Sequence, residues 1–211
     1  LTYDGDGVLI AGDPTQWAVY GLGKRAKSDR IVFPHWTLTD RMPEGLDREA
    51  YGLDFGWNHP CVCVRCGWRD VPKEDTNLIW DEVMRDTELR NSELANALEE
   101  ASVPKDVTLW CDPSEPDRIE YLADEGFNAK AAENEVEAGI RSVKEHRLLL
   151  TRTSQQLRNE MEAYQWETDK DGEVLDEVVK ANDHGPDAGR YGTYSEVSRP
   201  VSFGGGFTQD R

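Results

Sequence analysis

The stretch Tyr51-Gly-Leu-Asp-Phe-Gly-Trp-Asn-His-Pro60 decides the reading of this 211-residue chain. Residues 51–55 have the apolar density of a buried strand, and 61–68 follow as its hairpin partner across Gly56-Trp-Asn-His-Pro60. Asp54 stands inside the first strand, where a carboxylate is costly unless it is paired or holds a cation. That is a position in which catalysis places an acid.

Working outward, residues 77–84 read as a third strand and 91–98 as a helix with a start signal at its front. Residues 107–111 form a short apolar strand ending on Asp112. A helix over 116–125, closed by Gly126, leads to a further strand at 127–131. The spacing then predicts a basic-sided helix over 137–147, an extended piece at 148–150 and a helix over 154–164 capped by Ser154. Residues 166–178 read as a hairpin turning at Asp169-Lys-Asp-Gly172. A last helix begins near Asp183 and runs to about Val197. Three antiparallel strands, a helix, and then alternating strands and helices make a mixed α/β layer architecture.

The flanks are less regular. Within 1–46, residues 16–23 read as a short strand or helix, Lys24-Arg-Ala-Lys27 as a basic turn, and 31–33 and 36–38 as extended. Pro43 and Gly45 mark a boundary, and the Pro/Gly-rich end beyond Arg199 reads as a mobile tail. With no initiator Met and no signal-peptide pattern, the chain reads as a piece of a longer protein.

Composition narrows the function classes. With 37% hydrophobic residues, seven Trp and seven Tyr, a packed core is expected and wholesale disorder is excluded. No apolar run approaches the ~20 residues of a membrane span, so no membrane partner is expected. Net charge is −18, from 42 acidic and 24 basic residues, which by itself argues against a nucleic-acid partner. The balance is uneven, however. Between Asn128 and Glu160, six basic residues (Lys130, Arg141, Lys144, Arg147, Arg152, Arg158) meet five acidic ones. That stretch is either a solvated helix face or a phosphate-tracking patch. Four cysteines fit a reducing compartment. Cys63-x-x-Cys66 suggests zinc, yet no second Cys or His pair stands at ligand spacing. Cys61 and Cys63, alternating with Val, look more like small apolar residues of a strand.

Three acids sit where chemistry would need them. Asp54 lies in the first strand, Asp112 emerges from the end of a second buried strand, and Asp187 lies in the first turn of the last helix. If the two strands are neighbours and the helix crosses them, the carboxylates converge. A triangle of oxygens suits Mg²⁺ or Mn²⁺, and two such ions about 4 Å apart activate water and stabilise a leaving 3′-oxygen. Each acid also has a plain structural alternative: an ion pair with a buried Arg for Asp54, a helix cap for Asp112, an ordinary helix start for Asp187.

The ordered set of motifs resembles the nuclease domain of viral large terminase subunits, the DNA-packaging motors of tailed phages. Tyr51-Gly-Leu-Asp-Phe-Gly-Trp-Asn-His-Pro60 is similar to their opening motif, and Leu109-Trp-Cys-Asp-Pro-Ser-Glu-Pro-Asp-Arg-Ile119 to their second. Gly139-Ile-Arg-Ser-Val-Lys144 and Glu160-Met-Glu-Ala-Tyr-Gln-Trp166 resemble the segments that follow. Asn182-Asp-His-Gly-Pro-Asp-Ala-Gly-Arg-Tyr191 resembles the closing motif, where a His precedes the last catalytic Asp by three residues.

The resemblance implies an RNase H-like fold over 47–198, a mixed central sheet flanked by helices. Residues 1–46 would then be a linker or the end of an absent ATPase domain, and 199–211 a tail. It implies an endonuclease that cuts concatemeric double-stranded viral DNA with two Mg²⁺ or Mn²⁺ ions on Asp54, Asp112 and Asp187. His184 is the auxiliary group, and Lys130, Arg141, Lys144 and Arg147 are DNA-binding candidates. It implies portal protein and small terminase subunit as partners in the full motor, a monomeric isolated domain, and work in the host cell cytoplasm. No phosphate-binding G-x-x-x-x-G-K-[ST] loop occurs, so ATP hydrolysis is not expected. Another RNase H-like nuclease of the resolvase or transposase type, or a non-catalytic docking module, are the rival readings.

Overall fold

The computed structural model describes residues 30–71, 76–171 and 173–199, together with the backbone of β1 (Thr2–Tyr3) paired antiparallel with β2 (Leu9–Ala11). The expected element at 16–23, the basic turn at 24–27 and the tail beyond residue 199 lie outside the described residues.

A seven-stranded mixed sheet forms the centre. β4 (Arg48–Asp54), β5 (Cys61–Arg69) and β6 (Asn77–Asp86) form the expected antiparallel meander. β7 (Thr108–Cys111) pairs parallel with β4, and β8 (Asn128–Ala131) parallel with β7. On the other side, β9 (Arg147–Thr151) runs parallel to β6, and β3 (Thr37–Thr39) parallel to β9. The spatial order is β3-β9-β6-β5-β4-β7-β8, with β5 alone running against the rest. This is an RNase H-like sheet flanked by helices.

Strand alternation sorts the side chains onto two cores. Tyr51, Leu53 and Phe55 of β4 and its extension, with Cys61, Cys63, Leu109 and Cys111, pack under α1 (Asn91–Glu100) and α2 (Pro116–Asp124). Ala50, Val62, Val64, Cys66, Trp68, Trp80 and Trp110 face the opposite way. They pack under α3 (Val136–Lys144), α4 (Gln155–Ala163) and α5 (His184–Val197). Cys63 and Cys66 therefore lie in different cores, all four cysteines are free and buried, and burial pushes the Cys66 thiol up to about 12. They behave as apolar packing residues.

One irregularity matters for the site. Cys63 pairs with Met84 while Val64 pairs with Glu82, so Val83 is an extra residue in β6. Such a bulge shifts the alternation by one. Trp80 belongs to the α5 core, Met84 to the other core, and Arg85 is left on the α5 side.

Several expected boundaries move. The helix expected to run to 147 stops at Lys144, because Arg147 already opens β9. Ser154 precedes α4 without capping it. Its Oγ accepts the Glu82 N–H at 2.8 Å and donates to Asp81 Oδ1 at 3.1 Å, tying α4 to β6. Gly126, at φ +93°, ends α2 in the left-handed conformation its position predicts. Upstream of residue 47, Val32 and Phe33 are buried, Val32 N–H bonds Tyr164 O at 2.9 Å, and β3 widens the sheet. The packed body thus reaches back into the lead-in. The short β10 (Trp166–Thr168) and β11 (Val174–Val178) form the expected hairpin apart from the main sheet. Among the described residues no helix is long and apolar enough to cross a membrane.

Candidate active site

The site is built where α5 lies across β4. A Cβ on Gly52 would come within 1.8 Å of Ala188 O and 2.6 Å of Gly192 N, so helix and strand meet backbone to backbone. Gly189 lies flat on the Trp80 indole, where a Cβ would stand 2.7 Å from the ring. These absent side chains let α5 sink onto the sheet. Its first turn then carries His184 and Asp187 over the ends of β4 and β7.

A partly buried charge pair fixes that first turn. Arg85 grips Glu160 with two nitrogens, at 2.8 and 2.9 Å, and reaches Glu82 at 2.7 Å. Glu160 Oε2 in turn accepts the Gly185 N–H at 2.7 Å, satisfying one of the donors that a helix start leaves unpaired. A carboxylate at a helix N-terminus is also favoured by the helix dipole. The bulge at Val83, by aiming Arg85 at this face, is what makes the clamp possible.

Asp54 ends β4 on the α5 side, and His184 Nδ1–H donates to its Oδ2 at 2.9 Å. Asp112 leaves the adjacent parallel strand. Its backbone N–H bonds Leu53 O at 2.8 Å, and its carboxylate accepts from Ser114 N–H (2.9 Å) and Oγ–H (2.7 Å). Asp187 is held from the buried side: Tyr164 O–H donates to Oδ1 at 3.1 Å, and Arg190 Nε and Nη2 lie 3.4 and 3.3 Å from that oxygen. Its other oxygen meets Lys180 Nζ at 3.2 Å.

Burial pushes the Asp54 carboxyl up to about 6, the hydrogen bond from His184 opposes that rise, and the nearby charges of Asp187 and Asp112 add to it. The same hydrogen bond raises His184 above its ordinary value. Carboxylates that disfavour each other's charge call for a cation between them.

All four expected residues, Asp54, Asp112, Asp187 and His184, line one open cavity of about 630 Å³, with Trp57, Asn58, His59, Glu115, Asn134, Lys180 and Asp183 also on its wall. The strands are neighbours and the helix crosses them, so the acids meet. The structural alternatives do not hold for two of them: Asp54 pairs with His184 rather than a buried Arg, and Asp112 makes a local turn with Ser114. Asp183 is the residue before α5 but makes no side-chain cap bond, and Asp117 is exposed. The basic candidates lie elsewhere. Lys130, Arg141, Lys144 and Arg147 are exposed, and none lines the cavity. Arg147 opens β9 at the end of the sheet opposite Asp54, while Lys130 and Lys144 lie over the Trp110 and Trp166 rings.

Tyr164, Lys180 and Arg190 all contact Asp187 and are neighbours that the sequence reading passed over. Tyr164 and Arg190 fall inside quoted motif segments, so a signal was present. Lys180 sits in the link between β11 and α5 and carries none.

The donor set suits a hard divalent cation: three carboxylates, two of them buried, with a histidine alongside. The positions do not yet close on one. Among the described residues no three His, Cys, Asp or Glu side chains stand close enough to hold an ion together.

The mixed sheet, with acids at the ends of two adjacent parallel strands and on the helix across them, is of the RNase H-like fold class. Within that class the chain has the fold of large terminase nuclease domains. It is similar to the nuclease domain of the g2p large terminase of bacteriophage SPP1, solved with bound Mn, at 24% identity and TM-score 0.63, over 76% of this chain and 96% of that one. The large terminase of thermophilic bacteriophage D6E in complex with ATP-γ-S matches at 19% identity and TM-score 0.66, over 83% of this chain. This chain spans only 48% of that protein's length. The large terminase nuclease of thermophilic phage G20c, with bound magnesium, matches at 14% identity and TM-score 0.54, covering 80% and 98%. No family model and no curated protein matches the chain.

Proposed function

We propose that the chain is the nuclease domain of a DNA-packaging large terminase, an endonuclease that cuts concatemeric double-stranded viral DNA with Mg²⁺ or Mn²⁺. The observation that carries the reading is the meeting of Asp54, Asp112, Asp187 and His184 in one cavity at the ends of β4 and β7. The SPP1 and G20c nuclease domains of the same fold were solved with Mn and magnesium.

Asp54, Asp112 and Asp187 would hold the metal, with two ions the reading favoured by three shared carboxylates. When bound, such ions lower the pKa of water and stabilise the charge on a departing phosphodiester oxygen. The chain's own residues do the positioning. His184 fixes the rotamer of Asp54, Tyr164 and Arg190 fix Asp187 from behind, and the Arg85–Glu160 clamp holds the helix that presents both His184 and Asp187.

Double-stranded DNA is the proposed substrate, portal protein and small terminase subunit the partners of the whole motor, and the host cytoplasm its place of work. The residues ahead of Arg30 would join the nuclease to the motor, and the catalytic body, expected over 47–198, would also take in Val32, Phe33 and β3. With a net charge of −18, phosphate attraction is weak, so slow cutting and poor DNA binding by the isolated chain are expected. The same acidity is what favours a second reading, a docking module with structural acids.

One experiment separates the two. Supercoiled plasmid is incubated with the 211-residue chain and Mn²⁺, and nicking is compared with that of Asp54→Ala and Asp187→Ala variants whose circular dichroism is unchanged. Nicking lost in both variants supports the nuclease. Nicking that survives both, or a wild-type chain with no metal-dependent cleavage, favours the docking module.

A further inference from the structure

The cavity contains an imbalance. Asp54, Asp112, Glu115, Asp183 and Asp187 line it, against a single lysine or arginine, Lys180. The Lys180 ammonium stands 3.2 Å from Asp187 Oδ2 and 3.6 Å from Asp183 Oδ2. It is placed where a cation bound to Asp187 would have to sit. The other Asp187 oxygen is already occupied by Tyr164 and Arg190, so Oδ2 is the one left to serve the cavity.

The two sides of Asp187 differ in how firmly they are held. Tyr164 and Arg190 are almost fully buried, whereas the Lys180 side chain is 61% exposed and reaches the acids from a link rather than from a helix or strand. A flexible four-carbon arm with a strongly hydrated head is easily displaced, and an ion pair so open to water is weak. The buried partners orient the carboxylate; the exposed one only neutralises it.

We infer that Lys180 is a built-in counter-ion of the metal-free site, holding the place of a divalent cation on Asp187 until the metal displaces it. This rests on the metal-binding reading above and deepens it. It also gives Lys180 a second position. Once displaced, its charge remains tethered at the rim of a cavity that a DNA phosphate would approach.

Competition of this kind lowers apparent metal affinity by the fraction of molecules in which the lysine is bound. Removing the lysine therefore tightens metal binding. The test titrates Mn²⁺ alone into the full chain by calorimetry, without DNA, and follows thermal unfolding with and without the ion. Lys180→Met is expected to bind Mn²⁺ about three- to five-fold more tightly than wild type. Its metal-free melting temperature should be lower and its metal-induced rise larger. Lys180→Arg, which keeps the charge, should stay near wild type.

Unchanged or weaker Mn²⁺ binding in Lys180→Met overturns the inference while leaving the metal site standing, provided that Asp187→Asn weakens binding. Wild-type protein that takes up no Mn²⁺, or Asp187→Asn that binds as well as wild type, overturns the inference and the metal-dependent reading together.

Discussion

The two faces of the central sheet are built on different principles. Under α1 and α2 the contacts are aliphatic and aromatic: Leu53, Leu94, Leu98, Leu109 and Leu122 are all but sealed from water. Under α5 the same strand β4 offers Ala50, Gly52 and Asp54, and the helix answers with Ala188, Gly189 and Gly192. One face is held by volume alone; the other adds to its own apolar core a close backbone approach and buried polar groups such as Glu160, Asp187 and Arg190. The first face can exchange side chains of similar size at modest cost. The second cannot, because its geometry places the acids. Both faces bury an apolar core, but only one carries the acids, with a single strand serving both.

The largest expected contrast is in activity. Asp54→Ala or Asp187→Ala should lower Mn²⁺-dependent nicking by about a thousand-fold or more, whereas Leu98→Ala on the far face should leave the rate per folded molecule near wild type. Measuring both in one plasmid assay, normalised to folded protein, decides the matter; a comparable loss in Leu98→Ala would mean that the two faces are not separable. In stability the order reverses for Asp54. Leu98→Ala should cost about 2–5 kcal/mol by the cavity it leaves, while Asp54→Ala should be neutral or stabilising without metal, since it relieves carboxylate repulsion; Asp187→Ala, which leaves the buried Arg190 without its carboxylate, should cost about 3 kcal/mol or more.

Gly52→Ala joins the two effects. Its methyl would collide with the Ala188 carbonyl, and overpacking against backbone costs about 3 kcal/mol or more. Because α5 must lift, Mn²⁺ affinity should fall with it, in contrast to Leu98→Ala. Urea unfolding and calorimetry read the two separately; loss of stability with unaltered metal binding would show that α5 does not set the site. Glu160→Gln is a milder probe. It keeps an acceptor for the Gly185 N–H but removes the charge paired with Arg85, at about 1–3 kcal/mol, and should lower nicking several-fold by loosening the first turn of α5.

The difference between the faces also explains what the sequence disclosed. Alternation in 51–55 and 61–68 and the apolar run before Asp112 made the strands legible, and the ordered motifs made the three acids and His184 legible. Val83 did not announce itself: a bulge is one residue of register, invisible until β5 and β6 are paired. Ser154 looked like a cap because caps are local and its true partners, Glu82 and Asp81, lie on another strand. Lys180 was hidden for the same reason, since its meaning depends on the fold bringing it to Asp187. The basic stretch from Asn128 is contiguous only in sequence: β8, α3 and β9 place Lys130, Arg141, Lys144 and Arg147 off the cavity wall.

The smallest expected effect concerns DNA rather than metal. Trp57 lies in the loop between β4 and β5, 51% exposed, on the cavity wall beside Asn58 and His59. An indole left open to water next to the cavity acids offers a stacking surface for a base or sugar, and such contacts are sequence-tolerant. With few positive charges near the acids, this contact should carry a visible share of a weak affinity. Trp57→Ala is expected to weaken binding of a short DNA duplex about three- to ten-fold, with melting temperature and Mn²⁺ affinity unaltered, and Trp57→Phe should recover part of the loss. A fluorescence-anisotropy titration with Ca²⁺ in place of Mn²⁺ measures this without cleavage. If Trp57→Ala binds as wild type does, the DNA path avoids this loop, and the exposed lysine and arginine residues of β8 and α3 become the surface to test instead.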